Sequence, residues 1–347
     1  MSDDKILILG PSWVGDMVLA QSLFKQLKRI RPNCTIDVAA PAWTLPLLTR
    51  MPEVNQAIAL PFQHKQFAFW QRVKIGRSLK SVGYTQAIIL TNSFKSAILP
   101  WAAGIKRRTS FLGEMRYGLI NDIRPLDKKV LPRTLDRFIA LGLSPADSLP
   151  ENIPEPALIA DKLNGEATLG KLGIETLQGN ILGLCPGAEY GEAKRWPAEH
   201  YAKVANDALA KGWQVWLFGS EKDIPVTSII NNLTQNQCID FGGRTKLGEA
   251  IDLMARCNAV VSNDSGLMHV AAALGKPLAA IYGSSDPQHT PPMSNVAHVL
   301  YKGLACSPCF KRECPLKKPS EHLACLKNIG PAEVIQRLKI YHSAIKF

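Results

Sequence analysis

The stretch KILILGPSWVGDMVLAQSLFKQLKRIRP, residues 5–32, decides the fold. An apolar run from Lys5 to Leu9 reads as a buried strand, and apolar residues recurring at helical spacing from Met17 to Arg29 read as a helix. A glycine-containing loop joins them, and strand, loop and helix in that order form the opening unit of a parallel, doubly wound sheet. The spacing Gly10-x4-Gly15 matches a phosphate-binding loop, but Asp16 stands where that loop carries lysine. A carboxylate cannot hold phosphate. The choices for Asp16 are a proton acceptor at the mouth of the loop or a cap on the helix that starts beside it.

The same alternation recurs along the chain. Thr35–Ala39 and Ala87–Leu90 read as further strands and Ser93–Ala103 as a further helix. LPENIPEP (149–156) then places three prolines in eight residues without periodicity, which marks a linker. Beyond it NILGLCPG, WQVWLFGS, CIDFGG, NAVVSND and PLAAIYGSS each end an apolar run in turn residues. The expected fold class is α/β, with two Rossmann-like domains at 1–155 and 156–347 facing each other, and the last helix is open to packing back on the first.

With 347 residues, 46% of them apolar, the chain can build two cores, and a net charge of +12 favours an anionic partner. The start MSDDK and the break at Gly10-Pro11 do not fit a secretory signal, and no run approaches a membrane span. The expectation is a cytoplasmic protein whose eight cysteines are thiols or metal ligands. No zinc-finger, RNP or homeodomain signature accompanies the charge, so nucleic acid is not an expected partner.

Three strand endings in the second half carry chemistry. CPGAEYGEAKRWP sets Lys194 between glycines and a proline-led helix, the composition of a diphosphate clamp or of an ordinary surface loop. FGSEKD places Glu221 just past a strand, where an acid accepts hydrogen bonds from ribose hydroxyls or is simply solvated. VVSNDSGLMHVAAALG turns through Asp264, Ser265 and Gly266 into a small-residue helix, so that the Ser265 and Gly266 amides point at an anion and Asp264 accepts from sugar hydroxyls. His269, one turn on, faces either the site or the core.

GPSWVGDMVLAQSL, PGAEYGEAKRWP, FGSEKD and SNDSGLMHVAAALGKPLAAIYG, with APAW, RMPEVN, NSFKSA and GEMRYGL in order between the first two, resemble the lipopolysaccharide heptosyltransferases, most closely their heptosyltransferase II branch. The resemblance implies a GT-B arrangement of two Rossmann-like domains around a central cleft, with acceptor on the first and nucleotide sugar on the second. It implies inverting transfer of L-glycero-D-manno-heptose from ADP-heptose to heptosyl-Kdo2-lipid A in inner-core biosynthesis, with no catalytic metal. It puts the catalytic base on Asp16 and donor binding on Lys194, Glu221, Asp264, Ser265, Gly266 and His269. The alternatives are heptosyltransferase I, acting on Kdo2-lipid A, and a sugar-nucleotide epimerase of the same arrangement.

From Ser93 to Arg133 nine lysines and arginines face three acids. Such a segment is a solvated basic face or a surface for phosphorylated acceptor and the anionic inner leaflet, with Lys95, Arg107, Arg108 and Arg116 as acceptor-binding candidates and peripheral contact with the inner membrane as the expectation. Cys306-x2-Cys309-x4-Cys314-x10-Cys325 clusters four cysteines, which read as a structural zinc site, as reduced thiols or, less in keeping with a reducing compartment, as disulfides. Cys34, Cys185, Cys238 and Cys257 lie among apolar runs and are expected in the core.

Overall fold

The structure is a computed structural model and describes residues 4–62, 66–175 and 179–339. Two compact units divide the chain, Met1–Pro156 and Ala157–Phe347.

The first unit holds strands β1 (Lys5–Leu9), β2 (Thr35–Pro41), β3 (Gln56–Leu60), β4 (Gln86–Ile89), β5 (Arg107–Phe111) and β6 (Asp122–Arg124). They form one sheet in the order β3-β2-β1-β4-β5-β6, with every pairing parallel. β1 is central and covered on both faces, which is why it reads as an unbroken apolar run: Ile6, Leu7 and Ile8 are wholly buried. The helix that follows spans Val14–Ile30, three residues earlier than the sequence periodicity suggests. The expected helix at 93–103 is split into a 3₁₀ turn, Phe94–Ala97, and a short helix, Ile98–Ala102.

The second unit holds β7 (Ile181–Cys185), β8 (Gln214–Leu217), β9 (Ile239–Asp240), β10 (Ala259–Asn263), β11 (Leu278–Ile281) and β12 (Ala297–Leu300). Their order is β12-β11-β10-β7-β8-β9, again all parallel. Numbered from its own first strand and read from the other edge, this order is the same as in the first unit. In each sheet the direction of winding reverses at the first strand, between β1 and β4 and between β7 and β10. Ligands of open α/β sheets bind at the carboxyl ends of the strands at such a reversal.

Helix Ala198–Leu209 covers the second sheet, with Trp196 and Tyr201 wholly buried beneath it. The final described helix, Pro331–Lys339, packs on that helix and on β11, with Val334 in the same core. Its described part packs within the second unit, and the last residues of the chain lie outside the described ones. Cys34, Cys185, Cys238 and Cys257 are buried thiols, as their apolar settings suggest. Burial pushes Cys257 up to about 12.

Candidate functional site

At the reversal point of the second sheet four strand ends bring polar groups together. Lys194 closes a 3₁₀ turn, Glu192–Lys194, after β7, and its ammonium donates to Asp264 Oδ2 at 2.5 Å. Asp264 follows β10 and is only 4% exposed. The same carboxylate oxygen accepts a bond from Ser285 Oγ, which follows β11. His269 is buried beside them, and its Nδ1 has no hydrogen-bond partner. Burial pulls its pKa down to about 4, against the field of Asp264 and with that of Lys194, so the ring is neutral at pH 7. His269 is thus an interior ring that lies within the fields of Lys194 and Asp264.

Ser265 is the extended N-cap of helix Gly266–Ala273, and its side chain caps no backbone amide. The first N–H groups of this helix are thus left for a ligand, at the positive end of the helix dipole. Glu221 is exposed and opens the 3₁₀ turn Glu221–Asp223 after β8, the strand next to β7. Lys194, Glu221, Asp264, Ser265 and Gly266 therefore share one edge of one sheet.

Two residues that sequence reasoning passed over hold this edge in shape. Asn263, wholly buried at the end of β10, donates from Nδ2 to the carbonyl of Pro186 at 2.7 Å, while its Oδ1 accepts from Trp196 N and Tyr201 OH, both at 3.0 Å. It thereby fastens the loop that carries Lys194 to the strand that carries Asp264. The signal was visible: an amide ending an apolar strand needs partners for every polar atom once buried. Asp223 accepts from the backbone and hydroxyl of Ser220, and its carboxyl fills the space where a Cβ on Gly187 would stand, 2.3 Å from its carboxyl carbon. Gly187 is required for that contact.

In the first unit, Asp16 sits at the corresponding reversal point, after β1. It is the third residue of helix Val14–Ile30, half-buried in the first turn, and the N-cap is Trp13, whose side chain makes no capping bond. The helix start thus favours an ionised Asp16 without using it as the N-cap. Lys95, in the turn after the neighbouring β4, shares this edge of the sheet.

The other three basic candidates are placed differently. Arg107 and Arg108 begin β5, at the opposite edge, and Arg107 pairs with Asp122 at 2.9 Å while Arg108 donates to the carbonyls of Ile105 and Leu119. Arg116 is wholly buried. Its guanidinium donates to the carbonyls of Leu112, Thr91 and Phe111 and to the hydroxyls of Ser96 and Ser110. Burial lowers its pKa to about 10, and the neighbouring Glu114 works in the other direction. Arg116 is a strut for the loop after β4 with no exposed surface to offer an acceptor, whereas Arg107 and Arg108 lie at the edge opposite Asp16.

The sequence profile of glycosyltransferase family 9 (heptosyltransferase) matches residues 72–319. The chain belongs to this family. It is 47% identical over 305 residues to lipopolysaccharide heptosyltransferase 2 of Escherichia coli K12, covering 85% of this chain and 87% of that protein. Lipooligosaccharide heptosyltransferase 2 of Haemophilus influenzae is equally similar, 47% over 307 residues, with 85% and 88% covered. The solved structure of E. coli ADP-heptose lps heptosyltransferase II superposes with a TM-score of 0.84 at 42% identity, over 97% of this chain and 98% of that one.

In this family 9 enzyme the cysteine cluster lies beside the turn that carries Lys194. Cys306, Cys309, Cys314 and Cys325 line one small cavity together with Ala193 and Ser284. Leu323 N donates to Cys314 Sγ at 3.3 Å, and burial followed by the three neighbouring thiols raises Cys325 to about 11. The thiols are neighbours, yet among the described residues no three His, Cys, Asp or Glu side chains form a group that could hold a metal ion. No metal at this cluster enters the proposed reaction.

Proposed function

We propose that the chain transfers L-glycero-D-manno-heptose from ADP-heptose to the first heptose of heptosyl-Kdo2-lipid A, with inversion at the anomeric carbon. The observation that carries this reading is the Lys194–Asp264 pair beside an uncapped helix start at the reversal point of the second sheet, in a chain 47% identical to lipopolysaccharide heptosyltransferase 2 of E. coli.

In the proposed reaction the Asp16 carboxylate takes the proton of the acceptor hydroxyl as that oxygen bonds to the anomeric carbon. The bond from that carbon to the β-phosphate oxygen breaks, and its electron pair leaves on ADP. Lys194 and the amides at Ser265 and Gly266 offset the developing charge, which is the work a divalent cation performs elsewhere. Glu221 is assigned to the ribose hydroxyls, Asp264 to the heptose hydroxyls, and neutral His269 forms the floor beneath them. Because protein groups supply the cationic stabilisation, turnover is expected to persist in EDTA.

Among the described residues no helix is long and apolar enough to cross a membrane. The acceptor is a lipid, so the enzyme is proposed to work at the cytoplasmic face of the inner membrane as a peripheral protein. Exposed aromatics of the first unit, Trp70 at 78% and Trp101 at 46%, with Lys95 and the chain's net charge of +12, suit an anionic leaflet. Flotation with phosphatidylglycerol-containing vesicles, but not with purely zwitterionic ones, is the expected result.

The test of the activity is acceptor mass after incubation with ADP-heptose and heptosyl-Kdo2-lipid A. A gain of one heptose supports the reading. A gain only on Kdo2-lipid A transfers the assignment to the first heptose, and conversion of the nucleotide sugar without acceptor replaces transfer by epimerisation.

A further inference from the structure

A second cation stands beside Lys194. The ring of Tyr190 has the Lys194 ammonium 5.1 Å from its centroid and the Arg312 guanidinium carbon at 5.3 Å. Lys194 is balanced by Asp264. The Arg312 side chain is exposed, and among the described residues no carboxylate pairs with it. Its position is nonetheless fixed, because its own carbonyl accepts from Ala193 N at 3.0 Å, inside the turn that ends in Lys194. The approach is so close that a Cβ on Gly191 would lie 2.4 Å from that carbonyl oxygen. Two residues earlier, the Phe310 carbonyl accepts from Tyr190 OH and the Phe310 amide donates to the carbonyl of Ser284, each at 2.7 Å. Residues 310–312 are thus tied to the loops after both β7 and β11.

Two cations thus stand against one ring, and only one of the two has a carboxylate here. We infer that Arg312 is a second cation of the donor site, binding the phosphate oxygens of the nucleoside diphosphate held by Lys194. The guanidinium fork suits paired phosphate oxygens, and the Tyr190 face keeps it oriented when no ligand is present. This inference rests on the donor reading above.

The experiment is calorimetric titration of the full chain with ADP and, separately, with adenosine, for the parent protein, R312A and R312K, with thermal unfolding recorded alongside. The expected result is ADP affinity reduced about 10- to 100-fold in R312A, an intermediate loss in R312K and adenosine affinity unchanged. ADP affinity within twofold of the parent in R312A overturns the inference. Equal losses for ADP and adenosine overturn it as well, since Arg312 would then act through the shape of the loop. Failure of the parent protein to bind ADP at all removes the donor reading itself, a result distinct from either.

Discussion

Replacing Lys194 by methionine keeps the length of the side chain and deletes its charge. Asp264 would then retain only the Ser285 hydroxyl, with a neutral imidazole as its neighbour, at a position 4% exposed. Removing one partner of a buried ion pair costs about 3 to 5 kcal/mol, and the 18% exposure of the Lys194 side chain allows some water to reach the orphaned carboxylate. Lys194→Met is therefore expected to destabilise the second unit by about 2 to 4 kcal/mol and to abolish measurable ADP binding. Adding Asp264→Asn removes the orphaned charge, so most of that stability should return while ADP affinity stays lost. Urea unfolding of the two single variants and the double variant gives the coupling energy directly. Additive effects on stability would refute the pairing, and Lys194→Met that binds ADP normally would refute the clamp.

Asp16→Asn should lower turnover by about 10² to 10⁴ while leaving the fold little altered, because asparagine keeps the size of the side chain; steady-state kinetics that show near-normal turnover would remove Asp16 as the base. Glu221→Ala is expected to weaken ADP affinity by about 1 to 3 kcal/mol through lost ribose hydrogen bonds, and unchanged affinity in calorimetry would take Glu221 out of the site. His269 carries a pH signature. Its folded pKa of about 4 lies below the ordinary 6.5, so between those values the unfolded chain takes up a proton that the folded one refuses. Stability tied to this residue is complete above pH 6.5 and is lost as pH falls towards 4, by up to about 3 kcal/mol. Denaturant curves at pH 7.5 and 5 should show a steeper loss for the parent than for His269→Gln, and equal losses would contradict the buried neutral ring.

The central strands were legible because burial on both faces leaves an unmistakable apolar run: Lys5–Leu9 coincides with β1, and NILGLCPG and NAVVSND contain β7 and β10. Among the outer strands β2, β8, β9 and β11 were also read, but others were not. RRTSF and DIR, which become β5 and β6, carry no such run, and AHVL of β12 is only half-buried. These segments become strands because a partner is already in place, which is a tertiary effect that local pattern does not contain. The positions of the candidate donor residues were legible for a related reason. Each follows a strand that could be read, so the side on which it emerges was known.

Arg107 and Arg108 show what happens when the strand is missed. A parallel strand delivers its ligand-facing residues at its carboxyl end, and the two arginines are the first two residues of β5. Read as part of a basic segment they look equivalent to Lys95, yet the turn that holds Lys95 follows β4 and emerges on the Asp16 side, while the arginines remain at the opposite edge. Arg116 fails for another reason. Six carbonyl and hydroxyl oxygens from residues 91–96 and 110–112 surround its guanidinium, none of them a charged group that could be counted in advance. Net charge says that an anion is welcome somewhere on the molecule. Which cations meet it depends on strand direction and on how many backbone carbonyls a loop leaves unpaired, and both become visible only when the chain is folded.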